Sequence, residues 1–234
     1  MEARVEVEDA SGYRGQADQL LTPSTPAELA GLLARASQSA TPVTAWGSGT
    51  GITGGGCPSQ GWLIALDRFR RVDVGRGSAW VGAGVPLKDL QAAAAGSGQF
   101  YAPDPTEWSA SLGGNIATNA SGSRSFRYGS TRRHLLALTV ALMDGSVRTW
   151  RRGEKLDFPY APLPAPATTK NTAGYYLPPQ AEWVDLICGS EGTLGIVLEA
   201  EVALLRQPRQ ILSGVVFFDD DAAALAAVDS WRGI

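Results

Sequence analysis

The chain has 234 residues, 44% hydrophobic and 18% charged, with a net charge of -3; this allows one large domain or two small lobes with buried cores and leaves no basic footprint for nucleic acid. Arg68, Arg70, Arg71, Arg132 and Arg133 are too few and scattered to follow a phosphate backbone, and Cys57 and Cys188 stand too far apart to suggest a disulfide framework or a metal site. Residues 1–9 lack the basic start and apolar run of a signal peptide and no stretch reaches about 20 apolar residues, so a soluble cytoplasmic protein without an integral membrane segment is expected.

Thr25-Pro26-Ala27-Glu28 is a capping box with proline at the first helical position, and Leu29, Leu32, Leu33 and Ala36 recur at helical spacing, which predicts a helix over 26–38. Residues 42–46 read as a strand that ends in a glycine run, 47–56, and further short strands are expected over 62–66, 71–74 and 79–83. Leu87, Leu90 and Ala94 give a second helix, closed near Gly96. Residues 102–128 read as a loop. Segments 136–143 and 146–150 flank Asp144-Gly145, a hairpin signal that implies an antiparallel pair.

Six prolines, Pro159, Pro162, Pro164, Pro166, Pro178 and Pro179, mark 153–182 as a long irregular excursion. Strands are then expected over 184–188 and 196–205. After Pro208 come an expected strand, 211–218, and an acidic-capped helix, 219–231. One such unit cannot bury its own apolar face, so it reads as the start of another domain cut short.

The 28 glycines are clustered. Gly49-Thr50-Gly51-Ile52-Thr53-Gly54 fits the dinucleotide pattern G-x-G-x-x-G after a strand, but Gly55, Gly56, Cys57 and Pro58 prevent the helix that a Rossmann site requires, and no lysine follows for a P-loop. The run can still line up backbone N–H groups around an anion such as a pyrophosphate. Two more small-residue segments, Gly113-Gly114-Asn115-Ile116-Ala117-Thr118-Asn119-Ala120 and Gly189-Ser190-Glu191-Gly192-Thr193-Leu194-Gly195-Ile196, point to an extended ligand crossed by the chain at several places.

With these loops in this order, together with Pro103-Asp104-Pro105-Thr106, residues 22–208 resemble the FAD-binding domain of the vanillyl-alcohol oxidase (PCMH-type) flavoproteins. The closer resemblance is to the branch with D-lactate dehydrogenases and the glycolate oxidase flavin subunit. It implies an α+β, two-lobed FAD-binding domain over 1–208, with lobes of about 1–73 and 74–208 and FAD between them. Residues 209–234 would begin a truncated substrate or cap domain. By the same resemblance the pyrophosphate lies on Trp46, Gly47, Ser48, Gly49, Thr50 and Gly51. The ribityl chain and isoalloxazine ring are flanked by Pro103, Asp104, Pro105, Thr106 and Ser109, by Gly113 and Gly114, and by Ala117, Thr118, Asn119 and Ala120. Glu191, Gly192, Gly195, Ile196 and Val197 fall on the adenosine side.

Three departures from the family pattern stand out. Members usually carry arginine where Trp46 stands; the first loop has no histidine for covalent attachment, so non-covalent FAD is expected; and most of the substrate region is missing. The implied activity is oxidation of a 2-hydroxy acid of D-lactate or glycolate type by hydride transfer to flavin N5, with electrons passing to a separate acceptor or partner subunit. An alkyl-glycerone-phosphate synthase-like flavoenzyme and a split FAD-binding subunit inactive without a partner stay open as alternatives. No catalytic residue is singled out. His134, the only histidine, reads as structural; Lys170 belongs to a Lys-Asn-x-x-Gly-Tyr segment that the resemblance brings near the flavin; Glu191 is expected to order its loop by accepting glycine N–H bonds, and a Glu107–Glu191 pair depends on the fold.

Overall fold

The structure, a computed structural model, describes residues 4–164, 166–168 and 171–231, so Lys170 lies outside the described residues. The chain starts with an antiparallel hairpin, β1 (Val5–Glu8) and β2 (Arg14–Ala17), and continues into β3 (Gln19–Leu21). Helix α1 (Pro26–Gln38) then crosses to β4 (Val43–Trp46), and β5 (Trp62–Ala65) inserts between β3 and β4 to make a three-stranded parallel sheet.

The start of α1 follows the expected chemistry with one difference. Thr25 Oγ1 accepts from the Glu28 N–H at 3.1 Å, a cap worth about 1 kcal/mol. The Glu28 carboxylate reaches back one residue further than in the usual capping box, accepting from the backbone N–H of Ser24 at 2.7 Å. Leu29, Leu33 and Ala36 form its buried stripe.

The second sheet is antiparallel, in the order β10-β9-β11-β7-β6, built from β6 (Val72–Val74), β7 (Ser78–Gly82), β9 (Leu135–Ala141), β10 (Val147–Arg151) and β11 (Ile196–Ala203). Helix α2 (Leu87–Ala95) and β8 (Gln99–Phe100) follow β7, and β8 pairs with the short β12 (Leu205–Arg206). The β9–β10 hairpin turns through Gly145 at φ +82°, and a methyl there would stand 2.9 Å from the Cβ of Ala34, so the turn packs directly on α1. One continuous core, with Leu29, Leu33, Ile64, Val81, Leu90, Ile116, Leu138 and Leu198 among its members, joins α1 and both sheets.

Three expectations are corrected. Residues 102–128 are not a plain loop: they contain α3 (Leu112–Ala117) and α4 (Ser125–Tyr128), followed by a 3-10 turn, Thr131–His134. The predicted strand at 184–188 is helix α5 (Trp183–Ile187), because a short buried apolar run satisfies either geometry; the helix packs on β9 and the edge strand β10, with Trp183 stacked on Trp150. The predicted strand at 211–218 has no ladder partner among the described residues; its side chains are exposed, Leu212 wholly so, before α6 (Asp221–Trp231). No helix among the described residues is long and apolar enough to cross a membrane.

Candidate functional site

A cleft of about 560 Å³ is walled by the three small-residue loops. That size falls within the range of cofactor and small-ligand sites. The first wall leaves β4 at Trp46 and runs through the glycine loop. Gly49 and Gly54 take left-handed φ of +68° and +73°, which a side chain would strain. Among the described residues, the backbone N–H groups from Gly47 to Thr53 meet no acceptor. A row of unpaired donors on a cleft wall is suited to an anion that supplies the missing acceptors.

The loop is held from outside by the N-terminal hairpin. Asp9, just after β1, accepts from the Gly54 N–H at 2.7 Å and from the Ser11 N–H and hydroxyl, while the Ala10 N–H donates to the Gly49 carbonyl at 3.1 Å. The Ser11 hydroxyl does most to hold the Asp9 carboxyl below its ordinary value, with the Gly54 N–H adding to it against the cost of burial. Asp9 is therefore an anionic clamp on the loop. Sequence reasoning missed it, since a carboxylate 45 residues from its partner carries no local signature.

The second wall is α3. Ser111 caps it, accepting from the Gly114 N–H at 3.3 Å, and the N–H groups of Leu112 and Gly113 donate at 2.8 Å to the carbonyls of Val85 and Ala83. Gly113 must be small because a methyl there would stand 2.8 Å from the Ala83 Cβ. The third wall is tied to the other end of α3: the Gly189 N–H donates to Ile116 O at 2.9 Å and the Glu191 N–H to Ala117 O at 2.8 Å. It leads into β11, where a register shift around Leu198 lets Ile196 and Val197 both be buried and still line the cleft.

Of the residues expected at the site, Trp46, Gly47, Ser48, Gly49, Thr50, Gly51, Pro105, Thr106, Gly113, Gly114, Ala117, Thr118, Ala120, Glu191, Gly192, Gly195, Ile196 and Val197 line this cleft. Pro103, Asp104, Ser109 and Asn119 stand behind its wall. The Asp104 carboxylate accepts from the Ser123 hydroxyl at 2.7 Å and faces Arg124 at 3.5 Å, and the Ser109 hydroxyl is spent on Glu107. Asn119, buried with φ +48°, accepts from the Arg132 N–H at 3.0 Å. Unanticipated lining comes from Asp9, Ser111, Ser190 and Thr172, the last carried in by the proline-rich excursion.

The charges on the cleft wall are all negative: Asp9, Glu107 and Glu191, with no lysine, arginine or histidine among the described lining residues. Glu107 is held below its ordinary value first by the Ser109 hydroxyl and then by the Ser109 N–H. Among the described residues the Glu191 carboxylate does not take the expected ordering role, accepting no hydrogen bond from them, and its backbone N–H holds the loop instead, at a strained φ of +54°. Glu107 and Glu191 share the cleft without a hydrogen bond between them.

His134 lies off the cleft. It is buried, edge-on to Tyr101, with Nε2 3.0 Å from the Tyr128 carbonyl oxygen. Burial pushes its pKa below the ordinary 6.5, outweighing that hydrogen bond. The unfolded chain then binds the proton more readily than the folded one, so stability falls as pH drops below about 6.5 and is unaffected above it. Melting temperatures at about pH 7.5 and 5.5 test this: the drop on acidification should shrink in His134→Asn, and an equal drop in both proteins removes His134 as its source. Nearby, burial also lifts the Cys188 thiol to about 12, which makes it an inert packing group.

The family model described as "FAD binding domain" matches residues 17–151, more than half of the chain. The chain is 34% identical over 223 residues to the glycolate oxidase subunit GlcD of Bacillus subtilis (strain 168), covering 93% of this chain and 43% of that protein. It is 34% identical over 195 residues to a D-lactate dehydrogenase of Archaeoglobus fulgidus (82% of this chain, 40% of that protein). An uncharacterized FAD-linked oxidoreductase of Mycobacterium tuberculosis (strain ATCC 25618 / H37Rv) is 38% identical over 214 residues, covering 88% of this chain and 42% of that protein. Among solved structures, alkyldihydroxyacetonephosphate synthase superposes with a TM-score of 0.64 at 22% identity over 82% of this chain and 34% of that one, a likeness of fold. The chain thus spans about two fifths of the length of the curated relatives it matches.

Proposed function

The chain belongs to the FAD-binding domain family of FAD-linked oxidoreductases, and from that premise we propose that its cleft holds FAD non-covalently as part of a 2-hydroxy-acid dehydrogenase or oxidase. The observation that carries this reading is the row of unpaired N–H groups from Gly47 to Thr53 on a cleft of cofactor size. The diphosphate is assigned to that row, with the flavin end toward Pro105, Thr106 and α3 and the adenosine end toward residues 191–197. In this reading the cofactor lies between a lobe ending near Asp73 and one ending near Pro208. Support comes from the loops: the first leaves the parallel sheet and the third enters the antiparallel one.

When bound, FAD supplies an acceptor of an electron pair, taking hydride from the carbon that bears the substrate hydroxyl. The chain's own residues bind and orient. Backbone donors would meet the phosphates, Asp9 fixes the curve of their loop, and α3, seated on Ala83 by the missing side chain of Gly113, forms the second wall. No described residue lining the cleft is a histidine, so the base that takes the hydroxyl proton is not assigned to this segment. D-lactate and glycolate are proposed as the substrate class because the relatives named for those activities match over most of this chain. GlcD is named as a subunit, which favours a partner protein.

The visible spectrum of the purified protein tests the cofactor. A flavin band that moves to the supernatant on acid precipitation is expected; colour left in the pellet overturns the non-covalent assignment, and a colourless protein that cannot be reconstituted with FAD overturns the whole reading. With the chain extended to the length of its relatives, anaerobic D-lactate or glycolate is expected to bleach the band, and a band bleached by neither removes that substrate class.

A further inference from the structure

Trp46, the last residue of β4, lines the cleft at the point where the glycine loop begins. The loop curls around the six-membered ring of its indole. A methyl on Gly49 would stand 2.8 Å from Cζ2 and 3.3 Å from Cη2. On the other side, a methyl on Gly56 would stand 3.3 Å from Cε3 and 3.4 Å from Cζ3. Both glycines are thus held against one flat ring, and Gly49 also needs its left-handed φ of +68° to follow it.

Little else holds this stretch. Within 47–54, the hydrogen bonds to the rest of the described chain are Ala10 N–H to Gly49 O, Gly54 N–H to Asp9 and Cys57 N–H to Gly54 O. The indole packs on Gly49 and Gly56, at either end of the stretch, while the Tyr13 ring packs on Gly54 and the Ser111 hydroxyl lies beside Gly47. The indole N–H meets no acceptor among the described residues and is not sealed from solvent. The described residues lining the cleft present three carboxylates and no cationic side chain. A diphosphate seated here is therefore met by neutral donors, and their aim is what the site has to work with.

We propose that Trp46 is the positioning residue of this loop: its ring sets the curvature that turns the N–H groups of residues 47–53 toward the diphosphate, so that the loop binds the cofactor with no cationic side chain among the described lining residues. This rests on the FAD reading. Removing the ring leaves a void beneath a loop with few other ties, and the donors lose their common aim. Ionic strength reports the second half of the proposal, because salt screens contacts between an anion and a cation but has little hold on backbone donors.

The test is the FAD dissociation constant of the 234-residue chain, measured by flavin fluorescence for the wild type, Trp46→Ala and Trp46→Phe, with circular dichroism as a check of folding. Trp46→Ala is expected to weaken binding by about tenfold or more, and Trp46→Phe, which keeps an aromatic ring, to recover most of that loss. Wild-type affinity is expected to change by less than about twofold between low salt and about 0.5 M NaCl. Alanine binding as well as tryptophan, or phenylalanine no better than a folded alanine variant, overturns the positioning role. Steep weakening by salt overturns the neutral-donor site. If the alanine variant does not fold, Trp46→Phe decides: affinity within about threefold of wild type supports the role, and a loss beyond about tenfold overturns it. A wild type that binds no FAD overturns the cofactor reading itself, a result distinct from a wild type that binds and variants that do not differ.

Discussion

Asp9→Ala is expected to weaken FAD binding by roughly tenfold or more, through the loss of charge-assisted hydrogen bonds that hold the loop. The carboxylate accepts from the Gly54 N–H at 2.7 Å and from both donors of Ser11, so it joins the N-terminal hairpin to the far end of the glycine loop. Alanine frees that end and leaves three donors to find water. Asp9→Asn keeps an acceptor oxygen but brings its own donors to a site that offers donors, so a partial recovery is expected. Because the Ser11 hydroxyl and the Gly54 N–H hold the carboxyl below its ordinary 3.8, its contribution is present above that value and is lost only as the pH falls through the lowered one. The ratio of wild-type to Asp9→Ala affinity should therefore be flat above about pH 5. Equal affinities would reject the clamp. A ratio that changes across neutral pH would show that another group is involved.

Much of this scaffold was legible because local chemistry dictated it. Thr25 and Glu28 announce α1, Asp144-Gly145 announces the β9–β10 turn, and three small-residue segments announce a cleft with close backbone approach. What stayed hidden was set by distant parts of the chain. Gly113-Gly114 reads as loop because glycines oppose helix, yet it is helical since Leu112 and Gly113 donate to the carbonyls of Val85 and Ala83 in the turn after β7, and since Ala83 leaves no room for a side chain. The run at 184–188 has the same composition as a buried strand, and composition alone does not separate that from the helix that packs on β9 and β10 with Trp183 stacked on Trp150. Residues 211–218 have the apolar pattern of a strand and no partner in the described chain. Asp9 and Thr172 reach the cleft from opposite ends of the sequence, and no spacing rule connects them to it. Trp46 looked like a departure from the family pattern, while the structure gives its ring a place between Gly49 and Gly56.

The same chemical change, glycine to alanine, is expected to have opposite signs at Gly122 and Gly31. A methyl on Gly122 would be driven into the carbonyl group of Asp104 and toward the Pro105 nitrogen, all of it backbone that cannot rotate aside. That crossing is also where the Ser123 N–H meets the Asp104 carbonyl at 3.2 Å and the Ser123 hydroxyl meets its carboxylate. It places Pro105 and Thr106 on the cleft wall. Gly122→Ala must separate the two segments, at a cost of about 3 kcal/mol on the scale of overpacked sites, which corresponds to a melting temperature lower by about 6–12 °C for a chain of this size. Gly31 lies in the interior of α1 with nothing within 4 Å of an added methyl, so alanine there removes the helix penalty of glycine and should stabilise by about 0.5–1 kcal/mol. Calorimetry of the two variants separates a packing cause from a general intolerance of side chains at glycine positions. If Gly122→Ala melts with the wild type, the crossing does not constrain the wall. If it melts lower and FAD affinity falls with it, the position of Pro105 and Thr106 is what the glycine protects.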